Sequence, residues 1–133
     1  MDSHIGHILD ALDRHPELKR NTIIVFTSDH GEMQGAHHTV TKNLPYDECQ
    51  RVPFIFCGRG IAHGERDNSL VCNGTDLLPT ICQLAGIPLP AKTDGLSLAD
   101  RVLGRGKAPQ RKALYTEGDG FLNVICLLYT SDA

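Results

Sequence analysis

Apolar side chains at Ile5, Ile8, Leu9 and Leu12 recur at i, i+3, i+4 and i+7, which predicts an amphipathic helix over Asp2 to His15. Pro16 closes it, because the residue before a proline avoids the helical region. Asn21-Thr22 then lead into Ile23-Ile24-Val25-Phe26, a continuous apolar run rich in β-branched side chains. That run predicts a strand buried on both faces, as in a parallel sheet. From Glu32 to Gln50 the periodicity lapses into a polar stretch that reads as a loop, and loops this long in compact domains are usually functional or disordered. Arg51-Val52-Pro53-Phe54-Ile55-Phe56-Cys57 is a second apolar strand, with Pro53 confined to an edge or to the strand's start.

Leu77, Leu78, Ile81 and Leu84 mark the apolar face of a helix from Asp76 to Ala85, with Asn73 or Thr75 as its cap and Gly86 as its stop. Pro79 comes early enough in that helix to be tolerated. Pro88 and Pro90 mark a linker, Ser97 to Leu103 a short helix ended by Gly104, and Ala113 to Thr116 a further strand. Helix, strand, loop, strand, helix, strand is an α/β order. Open sheets of that class bind ligands outside the carboxyl ends of their strands, and Asp29 and His30 stand at such an end.

Bulk properties narrow the function. The 133 residues suit one domain, and 41% hydrophobic with 22% charged residues is a globular composition. A net charge of −3, with no concentrated basic surface, excludes a nucleic-acid partner. The apolar runs are far too short for a membrane span. Met1-Asp2-Ser3-His4 carries no export signal, but Met1 reads below as an internal methionine, so the compartment stays open. None of the five cysteines forms a C-x-x-C pair, and Cys57 and Cys82 read as buried thiols.

The chemistry concentrates after the first strand. Asp29 offers a hard anionic oxygen and His30 an imidazole nitrogen, together able to hold a divalent metal if further carboxylates complete the shell. Gly31 lets the backbone turn away behind them. Taken by itself the tetrapeptide also fits a plain strand-to-loop turn. Lys42, twelve residues after His30, could meet the oxygens of a bound sulfate or phosphate, or be a solvated surface lysine. His37 and His38 could supply a general acid for a leaving group, or be incidental loop residues. Arg51 reads as structural, and Asn73-Gly74-Thr75 fits a turn and cap better than a glycosylation sequon.

In order and spacing these pieces resemble the sulfatase family of the alkaline phosphatase superfamily. The resemblance runs from Ile8-Leu9-Asp10-Ala11-Leu12 through Asn21-Thr22-Ile23-Ile24-Val25-Phe26-Thr27-Ser28-Asp29-His30-Gly31-Glu32-Met33. It continues through Gly35, His37, Lys42, Tyr46 with Glu48, Arg51-Val52-Pro53 and Gly58-Arg59-Gly60-Ile61, and on to Asp76-Leu77-Leu78-Pro79-Thr80, Ala85-Gly86-Ile87-Pro88 and Asp94-Gly95 before Ser97-Leu98. It implies part of an alkaline-phosphatase-like doubly wound mixed sheet flanked by helices, and hydrolysis of sulfate esters. It makes Asp29 and His30 metal ligands and Lys42 the residue on the sulfate group, with His37 at a family position in the same loop as the second catalytic candidate. The implied metal is calcium, with magnesium or manganese admitted by the nitrogen of His30. The implied partner is a small-molecule or carbohydrate sulfate ester. His38 stands where the family usually has glycine, and Ala36 where it has glutamate.

The family's nucleophile is a formylglycine made from the first residue of Cys/Ser-x-Pro-x-Arg. Lys107-Ala108-Pro109-Gln110-Arg111 is a near miss with an unconvertible lysine, and the paired aspartates of the metal site are missing too. The chain therefore reads as a fragment, the C-terminal part of a catalytic domain over residues 1–125, inactive alone, with the formylglycine expected upstream. Cys126 to Ala133 resembles a translated adapter oligonucleotide and reads as a non-native tail. The alternatives are a phosphodiesterase or phosphonate monoester hydrolase of the same superfamily, or a non-catalytic truncated product.

Overall fold

The predicted first helix forms as α1 (Asp2–Asp13), its stripe leaving Ile5 and Leu12 half-buried and Ile8 exposed. The structure is a computed structural model that describes residues 2–42, 44–118 and 120–126. Pro16 ends α1 and also opens a one-turn helix, α2 (Pro16–Lys19), where its missing N–H costs nothing because a first helical position has no partner for it.

The Ile23–Phe26 run becomes β1 (Ile23–Thr27), which pairs antiparallel with β2 (Phe54–Gly58) from Ile23 opposite Gly58 to Thr27 opposite Phe54. A parallel strand covered on both faces was the expectation. Instead β1 is half-buried, Phe26 is exposed, and its only ladder among the described residues is antiparallel. An unbroken apolar run reports burial potential and does not encode the direction of its partner. Pro53 sits just before β2, as its missing donor requires. Cys57 corrects a second expectation: in β2 it is exposed, whereas Cys82 is buried. The long loop between the strands holds a single 3-10 turn (Ala36–His38) and a one-turn helix, α3 (Asp47–Gln50).

The central helix, α4 (Asn73–Ala85), starts one turn earlier than the periodicity indicated. Neither Asn73 nor Thr75 caps it. The Asp76 carboxylate reaches back to the Cys72 N–H (2.8 Å), and Gly86 ends the helix in the left-handed conformation. Pro79 has no N–H to give the Thr75 carbonyl, and Gly95 passes so close to that carbonyl that a Cβ would lie 1.9 Å from it. After the strap around Gly95 comes α5 (Ala99–Val102), shorter than the Ser97–Leu103 expected. A second antiparallel pair follows, β3 (Ala113–Gly118) with β4 (Phe121–Cys126). It is tied to α3 through Gln50, whose amide donates to Thr116 Oγ1 (3.0 Å) and accepts from Asn123 (3.3 Å). Cys126, the first residue of the suspected tail, lies opposite Ala113; residues 127–133 lie outside the described residues.

The result is an α/β fold with two small antiparallel sheets flanked by helices. No helix among the described residues is long and apolar enough to cross a membrane. The apolar core (Met33, Ile61, Cys82, Leu98 and Ala99 among others) surrounds two fully buried polar side chains, Asp76 and Thr80. Thr80 Oγ1 donates to the Asp76 carbonyl (2.6 Å) and accepts the Leu98 N–H (2.9 Å). The Asp76 carboxylate accepts the N–H groups of Cys72 and Leu96, each at 2.8 Å, and both arms of the Arg111 guanidinium, one at 2.6 Å. Burial pushes this carboxyl up, but Arg111 and the two N–H groups outweigh it and hold it below the usual carboxylate range.

A depressed carboxylate contributes stability above its unfolded-state pKa and loses it as pH falls through the lower folded value. Arg111→Leu strips the guanidinium from a buried charge and is expected to cost about 3–5 kcal/mol at neutral pH. The deficit shrinks as pH falls into the acid range, because protonating Asp76 removes the unpaired charge. Urea unfolding of both chains across pH checks this; a deficit independent of pH would show that the ion pair is not the cause.

Candidate metal and sulfate site

The β1–β2 ladder ends at Thr27, and Ser28-Asp29-His30 leave the sheet there. Asp29 Oδ1 accepts the His30 N–H (3.0 Å), while its side chain is 84% exposed. The His30 N–H, and after it the electrostatic attraction of the His30 ring, hold this carboxyl below its ordinary range. His30 Nδ1 lies 2.7 Å from the Gly31 carbonyl and donates to it. In the neutral ring that fixes the tautomer and leaves the Nε2 lone pair free. Nε2 lies 3.5 Å from Asp29 Oδ2, a separation that two donors on one cation can span with bonds of about 2.0–2.5 Å.

The pair therefore fits a divalent ion, with a carboxylate oxygen for a hard cation and an oriented imidazole beside it. Two donors fill only part of any such shell, and no group of three or more His, Cys, Asp or Glu side chains able to hold a metal occurs among the described residues. The role of Gly31 differs from the free turn expected of it. Its N–H donates to the Cys49 carbonyl (2.8 Å), and a Cβ there would lie 1.9 Å from the Glu48 carbonyl oxygen. Only glycine lets α3 approach the ligand turn this closely.

The same approach carries the second half of the site. Gln34, His37 and His38 have φ of 47°, 51° and 61°, left-handed values that non-glycine residues rarely take and that concentrate at functional sites. The His37 ring stacks on Tyr46 at 4.0 Å and 11°, and its Nε2 lies 3.8 Å from Glu48 Oε2. His37 is thus clamped to the residue whose carbonyl packs on Gly31. Thr39 Oγ1, in the same loop, is buried with no hydrogen-bond partner among the described residues. Lys42 is exposed on the loop, with no described contact to Asp29 or His30. Arg51 pairs with Asp47 (3.3 Å) in an exposed i,i+4 bridge.

Spacing along the chain brought out Asp29, His30, His37 and Lys42. It gave no role to Ser28, read Asn73 only as a helix cap, and did not pair Tyr46 and Glu48 with His37. Asn73 donates from its amide to Thr27 Oγ1 (3.1 Å) and to the Ser28 carbonyl. A contact across 46 residues has no periodic signal to announce it. A cavity of about 420 Å³ lies elsewhere, lined by Phe54, Ile61, Leu98 and Val102, and Arg101 in its lining is already paired with Asp67 and Glu65.

The family model for sulfatases matches residues 1–87, which include every candidate site residue, and the chain belongs to the sulfatase family. A Δ4,5-hexuronate-2-O-sulfatase of Bacteroides thetaiotaomicron is 43% identical over 107 residues, covering 78% of this chain and 22% of that protein. A solved structure of a protein in complex with its substrate D-glucosamine-2-N,6-O-disulfate is 30% identical with a TM-score of 0.73, over 94% of this chain and 27% of that one. The phosphonate monoester hydrolase of Silicibacter pomeroyi is 31% identical with a TM-score of 0.77, over 86% of this chain and 22% of that one. The chain thus spans about a fifth to a quarter of the length of these relatives.

Gly31→Ala is expected to break the Gly31–Cys49 hydrogen bond and push the ligand turn off α3, since backbone carbonyls cannot yield as a flexible side chain would. The amide and ring resonances of His30 and the amide resonance of Cys49 should shift together in the NMR spectrum. Unchanged Cys49 resonances would contradict this close packing.

Proposed function

We propose that this chain supplies part of the active site of a sulfatase that hydrolyses carbohydrate sulfate esters. The observation that carries the reading is the convergence of Asp29 Oδ2 and a lone-pair-bearing His30 Nε2 at a strand's carboxyl end. Two relatives support the substrate class: one named for a hexuronate sulfate, the other held with a disulfated glucosamine.

In this reading Asp29 and His30 hold a calcium ion, with magnesium or manganese also compatible with a mixed oxygen and nitrogen pair. A cation held there supplies Lewis-acid polarisation of a sulfate oxygen. Lys42 adds positive charge opposite the remaining sulfate oxygens, where charge grows as the ester bond breaks. His37, oriented by Glu48 and the Tyr46 ring, hands a proton to the departing sugar oxygen. The nucleophile, a formylglycine, and the remaining metal ligands come from parts of the protein beyond this chain. The two small sheets are pieces of a larger doubly wound mixed sheet. Exposed strand residues such as Ile55, Tyr115 and Leu122 support that reading, since they offer apolar surface to further elements.

A second reading, phosphonate monoester hydrolysis, is favoured by the likeness to the Silicibacter pomeroyi enzyme. The complete enzyme separates the two. Asp29→Ala and Lys42→Ala are each expected to lower kcat/KM on a sulfated disaccharide by about 10²–10³-fold. Turnover of a phosphonate monoester without any turnover of sulfate esters would refute the sulfatase reading.

His37→Ala should lose about 10²–10⁴-fold on a sugar sulfate, a poor leaving group, and far less on 4-nitrophenyl sulfate, whose phenolate departs unprotonated. Equal losses on both substrates would remove His37 from the proton-transfer role.

A further inference from the structure

The turn that bears Asp29 is tied down on one side only by its own chain. The β1–β2 ladder stops at Thr27, and the next backbone bond to another element is Gly31 N–H to Cys49. Across the three residues between, the other polar contacts among the described residues are local: the His30 N–H to Asp29, the Ser28 hydroxyl to the His30 carbonyl (2.8 Å), and Thr27 Oγ1 to the Ser28 carbonyl (3.4 Å). Bonds within a turn shape it without fixing where it points. The exception is the Asn73 side chain, whose amide reaches both Thr27 Oγ1 and the Ser28 carbonyl.

We infer that Asn73 is a positioning residue for the Asp29–His30 pair: its amide clamps the end of β1 to the first turn of α4, so that α4 sets the direction in which the two metal ligands point. This role rests on the metal reading proposed above. Asn73 touches neither ligand side chain in the described contacts; it acts through the Ser28 carbonyl, whose residue adjoins Asp29. Its own base is rigid. Asn73 is the first residue of α4, immediately after Cys72, whose N–H is held by Asp76 and through it by Arg111. The clamp therefore transmits a buried, fully satisfied anchor to the exposed Asp29 and the half-buried His30. Partners of this outer kind typically change metal affinity by about 10–100-fold when removed, because the ligands then lose their arrangement before the ion arrives. Asn73 is free for this role because Asp76 reaches back to the Cys72 N–H at the helix start, and the Asn73 amide is turned toward β1.

The test uses the full chain, Asn73→Leu, and two readouts. Amide order parameters of Ser28, Asp29 and His30, measured without metal, should fall from about 0.85 toward 0.6 or below, while those of the second half of α4 stay unchanged. A Mn²⁺ titration followed by paramagnetic broadening of the His30 ring protons should need about tenfold more metal than the wild-type chain. If Asn73→Leu does not fold, Thr27→Val removes one acceptor at constant shape and should move both readouts in the same direction by a smaller amount. Unchanged order parameters and an unchanged Mn²⁺ midpoint, with a responsive wild type, would overturn the role of Asn73 alone. A wild-type chain whose His30 signals ignore Mn²⁺ would overturn the metal assignment and this role with it.

Discussion

A single buried carboxylate organises the molecule. Asp76 is fully enclosed and sits in the first turn of α4, where an anion suits the helix dipole. It gathers groups from three distant parts of the chain: Cys72 before the helix, Leu96 in the strap, and Arg111 ahead of β3. Thr80, one turn further along, repeats the pattern by binding the Leu98 N–H. An enclosed charge is tolerable only when its acceptor capacity is filled, so these segments must all be in place at once. The apolar core is small, and this polar hub supplies much of the directional information that a larger core would otherwise provide.

Much of this was legible along the chain, and what was not has a common physical origin. The helices α1 and α4, the stop at Gly86 and the start of β2 after Pro53 follow from local rules of spacing and turn chemistry, but the face read for α4 does not: Leu78 and Ile81 are exposed, and Asp76, Pro79, Thr80 and Cys82 are buried instead. The direction of strand pairing is a long-range choice, which the run from Ile23 to Phe26 does not encode, and so β1 met an antiparallel partner. Arg111 belonged to a near miss of a modification motif in the sequence, whereas the fold uses it to neutralise Asp76. Asn73 was expected as a helix cap and instead serves the neighbouring strand, because Asp76 already occupies the capping role. Cys57, expected inside, is exposed on β2. Alternation along a two-stranded ribbon leaves one side without cover.

The candidate site illustrates the difference between finding residues and arranging them. Asp29 and His30 are neighbours in sequence, so their meeting needed only a turn. His37 becomes more than a loop histidine because Tyr46 and Glu48 return to it through α3, and α3 is held against the ligand turn by the Gly31–Cys49 bond. Lys42 shares that loop but stays out in solvent. A chain covering about a fifth to a quarter of its relatives thus holds one coherent group of candidate residues, with geometry set by its own contacts.

The hydrogen bond from His30 to the carbonyl of its own successor has an evolutionary corollary. The acceptor that orients the ring belongs to the backbone, so it survives any change of side chain at position 30. An asparagine there could give an amide hydrogen to the same Gly31 oxygen and turn its own carbonyl outward where the imidazole nitrogen now faces. The scaffold would be untouched while the donor changed from a borderline nitrogen to a hard oxygen. On the metal reading proposed above, a turn built in this way would let single substitutions change the preferred cation without a second mutation to rebuild the turn.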